Sequence, residues 1–322
     1  MRLLVTGASG FIGTNVIEYF KPRAEAVVNV DVLAPRCTDQ QDYWRKADIC
    51  DRKGLVDVFT EFAPTHVLHL AARTGMGEFS SDHFAANTAG VENVIHAAKE
   101  ASTVKRMLFA SSLLVCRNGH VPARDDEYCP DNMYGESKVE GERIVRKIED
   151  GPFTWAIFRP SSTWGPWFEL GYHHFFKLVM RGLYFHPGRI DIVKPTCFAG
   201  NAAYMMDKML CGSPEDVHGK IFYLVDYPEH TTRQWAEEIR RVVGRRPLMS
   251  VPMPVLSAAA KCGDMAKLLG WREPYLTSFR LSNMMTGGRY PFEPIEALAG
   301  PLPATLADGV EQTIAWMRSQ TD

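Results

Sequence analysis

The first half of the chain alternates short, fully apolar runs with stretches whose apolar positions recur every three or four residues. Arg2–Thr6, Ala26–Asp31, His66–Leu70, Arg106–Ser111 and Thr154–Arg159 are bounded by turn-forming or polar residues, the pattern of strands buried on both faces. Phe11–Phe20, Arg52–Phe62, Phe84–Ala101 and Tyr134–Ile148 carry the helical period between them. This alternation predicts a parallel sheet with helices on both faces, because each crossover between parallel strands lays a helix on the sheet.

The pattern changes after Arg159. Pro160, Gly165, Pro166, Pro187, Gly188 and Pro195 punctuate aromatic-rich sequence around Trp164, Trp167, Phe168, Tyr172, Phe175 and Phe176. Helical patterns return at Asn201–Leu210, Thr232–Val243, Val255–Leu269 and Thr305–Arg318, joined by Pro-rich turns. A smaller, mostly helical unit folded over the carboxyl ends of the strands is the expectation.

Composition narrows the setting. The 322 residues are 46% hydrophobic and 23% charged, ordinary values for a folded chain with one large domain and an annex, or two moderate domains. A net charge of −2 gives no long-range attraction to nucleic acid or to an anionic membrane. No apolar run approaches the ~20 residues of a membrane span, and Met1–Gly7 meets a glycine too early for a signal peptide. A cytoplasmic protein without nucleic-acid or membrane partners is therefore expected. Its seven cysteines are scattered and never spaced as Cys-x-x-Cys, so no disulfide framework and no metal site is expected.

Thr6-Gly7-Ala8-Ser9-Gly10-Phe11-Ile12-Gly13 lies between the first strand and the first helix, the setting a dinucleotide-binding turn needs. One glycine allows the tight turn, one admits a pyrophosphate, and one lets helix and strand pack closely. The helix N-terminus offers its N–H groups and positive dipole end to the phosphates. Asp31 closes the second strand, where a carboxylate accepts from ribose hydroxyls and repels a 2′-phosphate, favouring NAD over NADP. Arg36, downstream, either weakens that preference or, the favoured reading, is a solvated loop residue. Asp48 and Ile49 are placed to contact an adenine edge, although Asp48 alone equally reads as a helix cap.

Tyr134 and Lys138 stand at i and i+4 on one helix face. A phenol with a pKa of about 10 is a poor base at neutral pH. A lysine ammonium one turn away, together with a nicotinamide cation, stabilises the phenolate and lowers that value. Ser112, just past a strand's carboxyl end, is placed to hold a substrate hydroxyl near Tyr134.

In order and spacing these motifs resemble the extended short-chain dehydrogenases/reductases. The matching residues are Thr6-Gly7-x-x-Gly10-Phe11-x-Gly13, His69-Leu70-Ala71-Ala72, Asn87, Ser111-Ser112, Tyr134-x-x-x-Lys138, and Arg159-Pro160 with Gly165-Pro166. Gly219–Leu224 and Ala307–Trp316 look like that family's late strand and last helix, so the resemblance spans nearly the whole chain. It implies a doubly wound, Rossmann-type α/β fold with a smaller, mostly helical C-terminal substrate domain. By that resemblance residues 1–165, joined by about 188–215, form the NAD-binding domain, and 166–187 with 216–322 form the substrate domain.

Carried over by position, Gly7, Gly10, Phe11, Ile12 and Gly13 hold the pyrophosphate, Asp31 the adenosine ribose, and Asp48 and Ile49 the adenine. Leu70, Ala71 and Ala72 line the cofactor, Asn87 lies near it, and Pro160 and Ser162 lie near the nicotinamide. Tyr134 is the base, Lys138 its partner and holder of the ribose, and Ser112 the third catalytic member. The resemblance implies an NAD-dependent epimerase of a nucleotide-linked sugar, most simply a 4-epimerase through a 4-keto intermediate. The alternative is a dehydrogenase or reductase with net cofactor turnover, on a sugar nucleotide or another alcohol such as a sterol. A dinucleotide-binding sensor without turnover has no need of Ser112, Tyr134 and Lys138.

Departures from the family refine this. Leu113-Leu114 replace the Asp-Glu pair of 4,6-dehydratases, so that reaction is disfavoured. Cys116 replaces a pocket tyrosine, Ser162 a common asparagine, and Lys194 stands where a diphosphate-binding arginine is usual. Leu113-Leu114 with Trp164, Trp167 and Phe168 suggest an apolar wall, suited to a nucleobase, a sugar face or an apolar alcohol. The resemblance also implies a homodimer that pairs Asn87–Ala101 and Tyr134–Ile148 with their copies in a four-helix bundle. The apolar surplus at Val91, Val94, Ile95, Ala98, Val139, Ile144 and Val145 fits that arrangement, and part of it is equally accounted for by packing on the sheet.

Overall fold

A computed structural model describes the backbone over residues 1–75, 81–148, 151–169, 172–188, 191–271 and 274–320, and the side chains over the same residues except 81. The first half runs β1 (Arg2–Thr6), α1 (Phe11–Phe20), β2 (Ala26–Asp31), β3 (Trp44–Lys46), α2 (Arg52–Phe62), β4 (His66–His69), α3 (Ala89–Ala101), β5 (Arg106–Ala110), α4 (Met133–Arg146) and β6 (Thr154–Pro160). There follow β7 (Ser162–Trp164), α5 (Tyr172–Arg181), β8 (His186–Pro187), β9 (Thr196–Phe198), α6 (Ala199–Cys211), α7 (Pro214–Val217) and β10 (Ile221–Leu224). The chain ends with α8 (Thr232–Val242), β11 (Ser250–Val251), α9 (Met253–Leu268), α10 (Ser278–Met285), α11 (Glu293–Ala299) and α12 (Leu306–Ser319).

Seven of these strands form one parallel sheet in the order β10-β6-β5-β4-β1-β2-β3. The order reverses beside β1, the switch point at which doubly wound sheets bind ligands. Register sets Thr6 opposite His69, and Thr6 Oγ1 lies 2.7 Å from His69 Nδ1 in the sheet interior. Each face is dry. Val16, Ile17 and Phe20 of α1 pack with Ala202, Met205 and Met209 of α6 on one side. Leu55 and Phe59 of α2 pack with Val91, Val94 and Ala98 of α3 on the other. A fully buried side chain of this size contributes about 1.5–3 kcal/mol.

Two differences from the sequence expectations bear on the site. The seventh strand, β10, lies within the span assigned to the substrate domain, yet it pairs with β6 and belongs to the seven-stranded sheet. The apolar surplus on α3 and α4 is consumed within one chain. Val91, Val94, Ile95, Ala98, Val139 and Val145 are buried, and only Ile144 is half-buried, so the surplus is packing on the sheet and gives no argument for a bundle.

A third core joins α5, α8 and α12 around Trp164, which is fully buried against Phe176, Phe198 and Trp235. Helix α9 packs on α10 through Leu256, Ala260 and Leu281. No helix among the described residues is long and apolar enough to cross a membrane.

Candidate active site

The turn after β1 is built for a close ligand. Gly7 sits at φ 73°, and a Cβ there would lie 2.5 Å from Ala71 Cα and N, so only glycine lets this turn press against the segment leaving β4. A Cβ on Gly13 would collide with Ala8 Cα, which fixes how tightly α1 meets β1. At Gly10 a Cβ would meet only Gly7 O, at 3.2 Å, leaving its other side open. Gly10 caps α1 with no side-chain hydrogen bond, so the first N–H groups of the helix stay available to an anion. A pyrophosphate fits these positions.

Asp31 Oδ2 accepts from Ser9 N at 3.1 Å and its Oδ1 from Leu33 N at 3.0 Å, which hold the carboxylate beside the glycine turn with lone pairs left for a ribose. Leu70, Ala71 and Ala72 are half-buried beside Gly7, with Ala71 N on Thr6 Oγ1 at 3.3 Å. Asp48 is exposed and turns its carboxylate to Cys50 N, while Asp51 caps α2 in its place. Ile49 is buried under Gly90 of α3. Arg36 is exposed, as expected of a loop residue, and it also donates from Nε to Ser9 O at 3.1 Å and pairs with Glu169 at 2.5 Å, strapping the glycine turn to the loop after β7.

Asn132 caps α4 by accepting from Gly135 N, which starts the helix so that Tyr134 faces the carboxyl end of β5. Burial raises the pKa of the Tyr134 hydroxyl and the nearby Ser112 side chain lowers it, while Ser112 Oγ itself accepts from Leu114 N at 3.1 Å. Lys138 is buried, donates from Nζ to Ala110 O at 3.0 Å, and is pushed down to about 8 by burial. Asn87 is buried too and works as a brace. It bonds Arg73 N and O at 2.8 and 2.9 Å and donates to Ser137 Oγ at 2.8 Å, tying the segment after β4 to α4.

One turn past Lys138 on the same helix face lies Glu142, unread as a site residue in the sequence although its i+4 spacing was visible. Its carboxylate takes Arg159 Nε and Nη2, both at 2.8 Å, together with Ser111 Oγ and the Tyr128 hydroxyl. Arg159, fully buried, also donates to Tyr223 Oη at 2.6 Å on β10. This network fastens α4 to β5, β6 and β10 beneath the Ser112–Tyr134 pair.

A cavity of about 800 Å³ opens beyond Ser112, the one member of Ser112, Tyr134 and Lys138 on its wall. Pro160, Ser162 and Tyr172 border it. Much of the wall is apolar or aromatic, including Leu113, Leu114, Phe175, Trp235 and Phe279. Trp164 and Phe168, expected on that wall, are buried in the third core, and Trp167 packs on Trp316. Two cations line the cavity. Lys194 donates to Asn283 O, and Arg280, missed in the sequence because it comes from α10, donates to Pro274 O. The loop between Ser112 and Tyr134 also gathers Cys116, His120 and Cys129, whose ligand atoms lie within 4.8 Å of one another, a grouping invisible in their spacing.

Residues 3–193 match the family model described as the NAD dependent epimerase/dehydratase family. The chain is 24% identical to the N-acetyl-alpha-D-glucosaminyl-diphospho-ditrans,octacis-undecaprenol 4-epimerase of Escherichia coli O157:H7, over 98% of this chain and 95% of that protein. It is 32% identical to a 3 beta-hydroxysteroid dehydrogenase/Delta 5→4-isomerase of Mycobacterium tuberculosis (strain CDC 1551 / Oshkosh) over 56% of this chain, and so spans about half of that relative, 52%. The solved UDP-glucose 4-epimerase of Thermus thermophilus in complex with NAD shares the fold, with a TM-score of 0.71 at 22% identity over 99% of both chains.

Proposed function

The chain belongs to the NAD dependent epimerase/dehydratase family, and on that footing we propose that it epimerises a nucleotide-linked sugar, most simply at C4 through a transient 4-keto intermediate. The observation that carries this reading is the nearness of Ser112, on the cavity wall, to Tyr134 of α4, with Lys138 one turn further along that helix. NAD, when bound, supplies the hydride acceptor and donor.

Gly7, Gly10, Phe11, Ile12 and Gly13 cradle the pyrophosphate, and Asp31 takes the adenosine ribose. Ser112 Oγ orients the sugar hydroxyl, and Tyr134 Oη takes its proton and later returns it to the same oxygen. Lys138, released from Ala110 O, holds the nicotinamide ribose and supplies positive charge near the phenolate. Lys194 and Arg280 sit where a substrate diphosphate needs cations. The relative whose name specifies a sugar diphosphate on undecaprenol supports 4-epimerisation of a diphosphate-linked sugar. Incubation with a panel of nucleotide- and polyprenyl-diphosphate-linked sugars, without added cofactor, tests this through the C4 configuration of the product by NMR.

The apolar wall around Leu113, Leu114 and Phe279 favours one second reading, net oxidation of an apolar alcohol, in line with the hydroxysteroid dehydrogenase relative. Stoichiometric release of reduced nicotinamide separates it from epimerisation.

A further inference from the structure

Of the twelve large hydrophobic side chains exposed among the described residues, ten fall at Leu183, Phe185 and between Met249 and Phe279. Helix α9 explains the concentration. Its Leu256 and Ala260 bury against α10, and a Cβ on Gly263 would collide with Leu276 O. Yet Val255, Ala258, Ala259, Cys262, Met265 and Leu269 form a second apolar stripe on one side of the same helix, and all are exposed. Leu268 and Leu269 are 82% and 83% exposed, and Trp271, which follows them, touches Tyr275. Tyr275 and Phe279 are at once exposed and part of the cavity wall, so the apolar surface runs into the cavity mouth. Exposed apolar area of this extent marks an interaction surface.

Charge selects the partner. Residues 240–280 hold eight lysines and arginines against two acids in a chain whose net charge is −2, and with Arg241 paired to Glu238 and Glu311 and Arg280 on the cavity wall the surplus not so engaged is four. Lys261 and Lys267 are exposed on α9 itself, and Arg245 and Arg246 are exposed just before β11. The overall charge hides this local excess, which is why no membrane partner was expected from composition. We infer that the outer face of α9 with Trp271, Tyr275 and Phe279 docks on the surface of an anionic lipid bilayer, apolar side chains in the interface and basic ones among the headgroups. Docked in this way, the cavity opens at the lipid surface.

The inference stands apart from the catalytic reading, because vesicle binding is measured without turnover. The test is flotation of the purified full-length chain with vesicles of phosphatidylcholine, alone or with phosphatidylglycerol. The protein should float with the anionic vesicles, release at high salt, and show a blue-shifted tryptophan emission on binding. The double variant L268D/L269D, altered only at exposed positions, should keep its thermal unfolding midpoint and lose binding by about tenfold or more. Absence of flotation with anionic vesicles, or undiminished binding by L268D/L269D, would overturn the inference. So would a concentration-dependent dimer in light scattering that L268D/L269D abolishes, since the face would then be occupied by a second copy of the chain.

Discussion

Glu142 and Arg159 form a two-pronged ion pair in the protein interior, Nε to Oε1 and Nη2 to Oε2, both 2.8 Å, with side chains 1% and 0% exposed. The pair sits one helical turn beyond Lys138 and joins α4 to β6, so the orientation of Tyr134 depends on it. Replacing one partner strands the other charge in a dry setting, which costs about 3–5 kcal/mol. Glu142→Leu should therefore lower unfolding stability by about that amount in denaturant titration. A loss under about 1 kcal/mol would mean that water reaches the site.

Tyr134→Phe keeps the ring but removes the proton acceptor. NAD affinity by calorimetry should survive while turnover falls by ~10²–10⁴-fold. Ser112→Ala should lower turnover less, because the serine orients the hydroxyl without taking its proton. Lys138→Met should injure both cofactor binding and turnover. Full activity in Tyr134→Phe would exclude it as the base.

Cofactor choice rests on three side chains. Asp31 disfavours a 2′-phosphate, and Glu169 neutralises Arg36, the cation held at Ser9. Asp31→Ala should narrow the preference for NAD over NADP. Glu169→Gln should free Arg36 and tighten NADP alone, on the order of twofold to fivefold for an exposed pair. Calorimetry with both nucleotides checks the pattern, and equal tightening of NAD by Glu169→Gln would dissociate Arg36 from the 2′ position.

Lys138 gives a pH signature. Burial lowers its pKa from 10.5 to about 8 in the folded chain, so between those values the unfolded chain binds the extra proton. Stability contributed by this site then rises as pH climbs from about 8 toward 10.5, and is lost as pH falls through 8. The difference in denaturation midpoint between wild type and Lys138→Met should change over that interval in this sense. A constant difference would place the ammonium in water.

The sheet was legible because its strands are buried on both faces and read as continuous apolar runs, while the glycine turn announced itself by position. β3 has only three residues at the sheet edge, two of them charged and exposed, so no apolar run marks it. Helices α5, α10 and α11 lie in aromatic and Pro-rich sequence whose apolar residues serve two cores and a cavity at once, which blurs the helical period. Ser112, Tyr134 and Lys138 could be named from spacing along one helix and one strand end. Arg280 and Tyr275 could not, since only the fold over the strand ends brings them to the cavity. Trp164 and Phe168 were misplaced for the same reason, as aromatic content does not distinguish a cavity wall from a core.

The central claim is that a hydride leaves and returns to one sugar carbon while Tyr134 carries the hydroxyl proton. Its most direct test supplies the enzyme, with its cofactor bound, with a diphosphate-linked sugar deuterated at C4 and reads the product by NMR. The account predicts an inverted C4 that still carries the deuterium, no accumulation of reduced nicotinamide, and loss of the conversion in Tyr134→Phe. Deuterium lost to water, or reduced nicotinamide released in step with an oxidised product, would contradict it.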